Sequence, residues 1–246
     1  MVRERSPSET GFPSTPHSQS VSGQLPPLHS GDRLTRAEFE RRCQARPKLK
    51  KAELIEGVVY VPAALRFRSH GRPHALLMAW LTDYWLATPG TELGDAPTVR
   101  LDFDNEPQPD IVLLIDEASG GQSRLSDDDY LEGAPELVVE VAASSAAIDT
   151  STKKQAYRRN GVLEYIIWQS FENKLDWFQL VEGSYQLLAL NSDGVLCSQA
   201  FPGLWLAPEA LLIGDMSQVM AVVQSGIESR EHSAFVEALA ARRAST

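Results

Sequence analysis

Residues 134–145 read APELVVEVAASS. Val138, Val139 and Val141 are β-branched, and Gly133 and Pro135 punctuate the start, so the stretch predicts a strand. Glu140 interrupts its apolar run. A buried carboxylate is costly unless it is paired, hydrogen-bonded or bound to a metal. The sequence must therefore supply a partner for Glu140.

Upstream, PDIVLLID (109–116) predicts a second strand. Its five consecutive apolar residues suit a strand covered on both faces. Asp110 opens that strand, whereas Glu140 stands near the end of its own. If the two strands are antiparallel neighbours, start lies beside end and the carboxylates converge. Two such groups repel and raise one pKa unless a cation sits between them. Mg²⁺ fits, since it takes oxygen ligands and keeps several waters. Each residue also has a plainer reading: Asp after Pro stabilises a turn, and a strand Glu can face solvent.

Other elements can be placed around this pair. LTRAEFERRCQ predicts a helix with Thr35 as N-cap and Glu38 at N3, a capping-box pattern. ELIEGVVYV predicts a hairpin turning at Glu56-Gly57. His70 to Ala87 is helical in pattern, stopped by Pro89-Gly90. TVRLDF (98–103) predicts a strand, and residues 117–132, with SDDD, predict a solvated acidic loop. Asp149 can cap a helix through Lys153, Tyr157 and Arg159 that stops at Asn160-Gly161. LEYIIW, KLDWFQLV and SYQLLAL predict successive strands, and the chain from Ala207 onward predicts helices. The fold class is therefore α/β (α+β): a mixed sheet flanked by helices, without regular βαβ alternation. Residues 1–30, rich in Ser and Pro, predict a disordered tail; 31–212 form the domain; 213–246 form a C-terminal helical extension.

The totals narrow the function. Net charge is −10 over 246 residues. That argues against broad phosphate neutralisation, although a local basic patch remains possible for an acidic chain. The longest apolar run, ALLMAWL (75–81), is too short to span a bilayer, so no membrane partner is expected. Two cysteines and no apolar leader point to the cytoplasm. No Gly-rich phosphate loop and no Gly-x-Ser-x-Gly elbow is present. His70 and His74 have zinc-ligand spacing, but HGRPH lacks the protease Glu and its Pro73 argues against regular helix across the pair. Trp80, Trp85, Trp168, Trp177 and Trp205 are read as core. A homodimer face built from some of them is the open alternative.

PD, then thirty residues, then a Glu in a Val-rich strand resembles the PD-(D/E)xK signature of restriction-endonuclease-like nucleases. The lysine of that signature stands two residues after the Glu, where this chain has Ala142. The departure is similar to a branch with the lysine on the next helix: the Uma-type family, classed with restriction endonucleases and formerly a domain of unknown function. LIEG (54–57), His70-Gly71, PDIVL (109–113), GAPELVVEV (133–141) and KKQAYRRNGVLEYIIW (153–168) all match, spanning roughly residues 34–212. The family pattern selects Lys153. Helix geometry agrees, because Lys153, Ala156, Tyr157 and Asn160 share a face and Lys154 is turned about 100° away. The plainer reading pairs Lys153 with Asp149.

The resemblance implies a restriction-endonuclease-like fold and a Mg²⁺- or Mn²⁺-dependent endonuclease acting on DNA. Asp110, Glu140 and the Val141 carbonyl would hold the metal, and Lys153 would assist the attacking water. Glu56 and His70 match as accessory positions. Lys154, Arg158 and Arg159 would guide the phosphate backbone. The alternative is a catalytically inactive nuclease-fold module for binding or assembly.

Overall fold

The computed structural model describes residues 25–46, 48–49, 51–62, 64–143 and 148–245. The tail expected over 1–30 therefore falls mostly outside the described residues. Its last part does not float free: Leu28 is buried against Phe39, Leu54 and Val59.

Helix α1 (Arg36–Gln44) starts where expected, and Thr35 accepts from the Glu38 amide at 3.4 Å. Only half of the capping box forms, because the Glu38 carboxylate turns outward to Arg41 and Arg42. Strands β1 (Glu53–Ile55) and β2 (Val58–Tyr60) make the predicted hairpin. Glu56 and Gly57 both have positive φ, 54° and 68°, which a two-residue turn of this twist requires. A π-helical turn (Phe67–Gly71) leads directly into α2 (Arg72–Ala87). The helix thus runs through His70 and His74 despite Pro73. Pro73 sits in the first turn of α2, where no amide partner is required of it.

Five strands follow: β3 (Thr91–Asp95), β4 (Val99–Arg100), β5 (Ile111–Ile115), β6 (Arg124–Leu125) and β7 (Leu131–Glu132). The strand expected over 98–103 shrinks to β4 because Asp102 accepts from the Asp104 amide and from Asn105, closing a turn. The acidic loop is also more ordered than expected. Asp128 grips Arg100 through both oxygens at 2.8 Å, and Glu132 pairs with Arg124. Strand β8 (Leu137–Ala142), a π-helical turn (Ile148–Lys153), α3 (Lys154–Asn160) and β9 (Glu164–Gln169) form a crossover between parallel neighbours. Strands β10 (Lys174–Val181) and β11 (Ser184–Leu187) continue antiparallel. A short pair, β12 (Leu196–Cys197) and β13 (Trp205–Leu206), precedes α4 (Pro208–Ile213), α5 (Met216–Ile227) and α6 (Arg230–Arg243).

The main sheet has the order β11-β10-β9-β8-β5-β3 and is antiparallel except at β8–β9. Its two faces divide the residues of β8. Leu137, Val139 and Val141 enter the larger core beneath α2 and the C-terminal helices. Val138 and Ala142 enter the smaller core with Tyr157 and Val162 on the α3 side. Strand alternation places Glu140 on this second face. The C-terminal helices share the principal core with the sheet, since Val219, Val223 and Leu239 are fully buried in it. Their docking needs backbone contact: a Cβ at Gly226 would lie 2.2 Å from the Gly203 carbonyl oxygen. Trp80, Trp168 and Trp177 are core, and Trp85 and Trp205 are half-buried. Among the described residues no helix is long and apolar enough to cross a membrane.

Candidate active site

Strands β5 and β8 are antiparallel neighbours, with Ile111 opposite Val139. One step further along that register sets Asp110 opposite Glu140, on the face that α3 covers. Both side chains are buried. Asp110 Oδ2 accepts the Val141 amide at 2.8 Å. Its Oδ1 lies 3.1 Å from His70 Nε2 and 3.6 Å from Lys51 Nζ. Burial opposes the charge of Asp110, but the hydrogen bond to His70 and the charge of Lys51 hold its pKa down at about 2.

Glu140 has a different environment. Lys153 Nζ approaches Oε1 at 2.9 Å, and the Tyr157 hydroxyl donates to the same oxygen at 2.8 Å. Ala142 stands on the same face two residues along and leaves room for this lysine from the helix. Lys153 also reaches Glu53 Oε1 at 2.8 Å and Asp149 Oδ1 at 3.5 Å. The expected Lys153–Asp149 pair is thus one of three contacts. Burial works against the charge of Lys153, yet Glu140, Glu53 and Asp149 together raise its pKa well above the ordinary lysine value. Burial pushes Glu140 up to about 8; Lys153 opposes this, and Asp149, Asp110 and Glu53 add to it. Burial is the main origin, and the neighbouring carboxylates add to it. Among the described residues, Lys51 and His70 approach Asp110, and Lys153 approaches Glu53, Glu140 and Asp149.

The cluster opens on a cavity of about 640 Å³. Glu53, His70, Asp149 and Lys153 line it below, with Leu65 and Phe171 at its walls. Sequence reasoning thus brought Asp110, Glu140, Lys153 and His70 to one place. It missed Glu53. The signal was available, because Glu53 heads a strand whose three residues are all buried, the argument already applied to Glu140.

Glu56, expected as an accessory carboxylate, is a turn residue paired with Arg159 at the surface. Exchanging it for Asn, which tolerates positive φ, is expected to change stability by less than about 1 kcal/mol in urea denaturation and to leave any nuclease rate unchanged. The helix cations are engaged as well. Lys154 Nζ lies 3.2 Å from the centre of the Phe178 ring, Arg158 donates to the Gly183 carbonyl, and Arg159 holds Glu56. Of the three, Arg159 is paired with a carboxylate. His70 and His74 stack at 5.9 Å, but each turns to Asp110, His70 to the carboxylate and His74 to the main-chain oxygen. That is not a zinc pair.

The hairpin carrying Glu53 is tied to the domain by two main-chain bonds between Leu54 and Glu106, at 3.1 and 2.8 Å. Burial first, and then hydrogen bonding with Glu40, pushes the Glu106 carboxyl up to about 8 despite Arg100 and Arg36. A carboxyl raised from its ordinary 4.5 contributes stability that is complete below about pH 4.5 and lost as pH rises through about 8. The melting temperature is therefore expected to fall between pH 6 and 9, and Glu106→Gln is expected to flatten that decline. An unchanged slope in the variant would remove Glu106 as its source.

The architecture is a mixed α+β sheet with a buried carboxylate–lysine cluster at one edge of its central strands. The family model Uma2, described as "Putative restriction endonuclease", matches residues 36–209, and the chain belongs to this family. A crystal structure described as a "putative nuclease belonging to DUF820 from Anabaena variabilis ATCC 29413" is similar over 73% of this chain and 97% of its own, with 10% identity and a TM-score of 0.48. No curated protein matches the chain.

Proposed function

We propose that the chain is a metal-dependent endonuclease that hydrolyses phosphodiester bonds of DNA. The observation that carries this reading is Lys153 Nζ at 2.9 Å from Glu140, arriving from the helix at a site whose strand has Ala142 in place of a lysine. Family membership supports the reaction class.

Among the described residues no three His, Cys, Asp or Glu side chains form a metal cage. The donor chemistry nevertheless suits Mg²⁺ or Mn²⁺, because such ions are commonly held by one or two carboxylates, with water and substrate phosphate completing the shell. The charge imbalance of the cluster favours a divalent cation as well. Asp110 and Glu140, with the Val141 carbonyl, would hold it. Such an ion, when bound, acidifies a water and offsets charge developing on the phosphate.

The chain's own groups have separable tasks. His70 and the Val141 amide fix both oxygens of Asp110. Tyr157 fixes Glu140. Lys153 brings a permanent positive charge to the cavity wall, where it would orient the attacking water or stabilise the transition state. Water adds to phosphorus, one ester P–O bond breaks, and the departing oxygen takes up a proton.

A non-catalytic module is the competing reading, favoured by how completely Glu140 is already bonded to Lys153 and Tyr157. Cleavage of several DNA forms in Mg²⁺ or Mn²⁺, compared between the wild type and Glu140→Gln, tests between them. Cleavage insensitive to the substitution would place the activity elsewhere. Calorimetry showing no divalent-ion binding would favour the module.

A further inference from the structure

The wall of the cavity is unlike its floor. Leu65 and Phe171 line it and are each 63% exposed. Large apolar side chains held open to water beside a polar cluster mark a binding surface. The segment Leu65-Arg66-Phe67-Arg68 alternates apolar and basic residues, and all four are exposed.

A second, smaller cleft of about 150 Å³ is lined by residues that neighbour those of the first in sequence, Arg68 beside Arg66 and Ser170 beside Phe171. It is built from the same two stretches of chain: the entry to α2, through Arg68 and Arg72, and the β9–β10 turn, through Ser170 and Asn173. Arg72 is seated close against Gly214, where a Cβ would come within 2.9 Å of its Nη2. Among the described residues seven arginines pair with carboxylates, Arg100 and Arg159 among them. Among the described residues, Arg66, Arg68 and Arg72 enter no ion pair. Arg66 lines the large apolar-walled cavity, and Arg68 and Arg72 line the smaller cleft.

A continuous duplex is held through many phosphates, which a chain of net charge −10 is poorly equipped to neutralise. Single strands are bound differently: unpaired bases stack on aromatic and apolar side chains while a few cations follow the backbone. The cavity also lies within the roughly 300–1,000 Å³ of small-molecule pockets, room enough for an unpaired nucleotide. We propose that this face is a single-strand track, in which an unpaired base of single-stranded DNA packs on Phe171 and Leu65 and the neighbouring phosphate is held by Arg68 and Arg72. The proposal rests on the nuclease reading for its substrate class and adds the form of that substrate. Phe171 and the two arginines are specificity residues and take no part in bond cleavage.

The test uses a short oligodeoxynucleotide carrying 2-aminopurine, titrated into the full-length Glu140→Gln chain as a single strand and as a blunt duplex. The single strand is expected to bind at least about tenfold tighter and to lose 2-aminopurine emission on binding. Phe171→Ala is expected to weaken it about 5- to 150-fold and abolish the quench. Arg68→Gln and Arg72→Gln are each expected to reduce the salt dependence by about 0.7 in slope while keeping the quench. All three positions are exposed, and unchanged melting temperatures confirm intact variants. Equal or tighter duplex binding, or a Phe171→Ala chain that binds and quenches like its parent, would overturn the track. If the wild type cleaves no DNA form in Mg²⁺ while the quench persists, the track is supported and the nuclease reading fails.

Discussion

Lys153→Met is expected to destabilise the chain by about 3–5 kcal/mol and to abolish DNA cleavage. The magnitude is that of breaking a buried ion pair from one side only, which leaves the other charge without compensation. Here the loss is more severe than for a simple pair. Lys153 Nζ lies within 3.5 Å of Glu53, Glu140 and Asp149, all of them buried. Methionine fills much of the space of the lysine stem, so packing changes little and the result reports on charge. Urea denaturation at constant slope measures it. Added Mg²⁺ should restore part of the lost stability if the carboxylates accept a divalent ion. A destabilisation below about 1 kcal/mol would mean that the three carboxylates do not depend on Lys153.

Glu140→Gln is expected to act in the opposite direction on stability while sharing the loss of activity. The amide oxygen can still accept from Lys153 and Tyr157, as the carboxylate does now. Above about pH 8, where the Glu140 carboxyl is ionised, the substitution removes one negative charge from a buried cluster of carboxylates. The melting temperature should therefore rise, whereas cleavage should fall on the order of 10²–10³-fold, the scale of removing one group that stabilises transition-state charge. A residue that costs stability and is kept for reaction is the usual form of the stability–activity conflict. Loss of stability in this variant would show that Glu140 is held as part of a well-balanced network, and the catalytic reading would then lose its energetic support.

The two variants bear on the same question that buried glutamates pose throughout this chain. Glu136 and Glu164 are buried too. Glu136 accepts the amides of Ile115 and Gln122. Glu164 accepts the amides of Gln199 and Ala200, the Ser198 hydroxyl and the Trp177 indole. Their oxygens close turns and fasten β12 to the sheet, so their role is structural. Glu140 is held by a lysine and a tyrosine beside a cavity. The sequence does not distinguish the three, because each is a Glu at or within an apolar run. Only the partners separate them, and those partners lie up to 36 residues away.

What was legible followed local rules. The Glu56-Gly57 turn, the Thr35 cap, the strands around Asp110 and Glu140 and the inward face of α3 are written in spacing and turn chemistry. Glu53 escaped because Glu56, three residues later, stood at the more conspicuous position. The π-helical turns before α2 and α3 escaped because Pro73 suggests a break and because hydrogen-bond register leaves no mark on polarity. Engagement of Lys154, Arg158 and Arg159 by Phe178, Gly183 and Glu56 depends on tertiary contacts that no spacing rule contains.

The sharing of one core between the sheet and the last helices sets an order of events during synthesis. Val219, Val223 and Leu239 complete the apolar cluster on which Val139 and Val141 rest. At about 5–20 residues per second, the ribosome needs roughly 2–7 s to add residues 213–246. During that interval the underside of β8 has α2 but lacks the part of its cover that α5 and α6 supply, although every residue of the carboxylate–lysine cluster has already been made. A nascent chain therefore carries the chemistry of its site before the floor that holds it rigid is complete, and that floor is completed by α5 and α6.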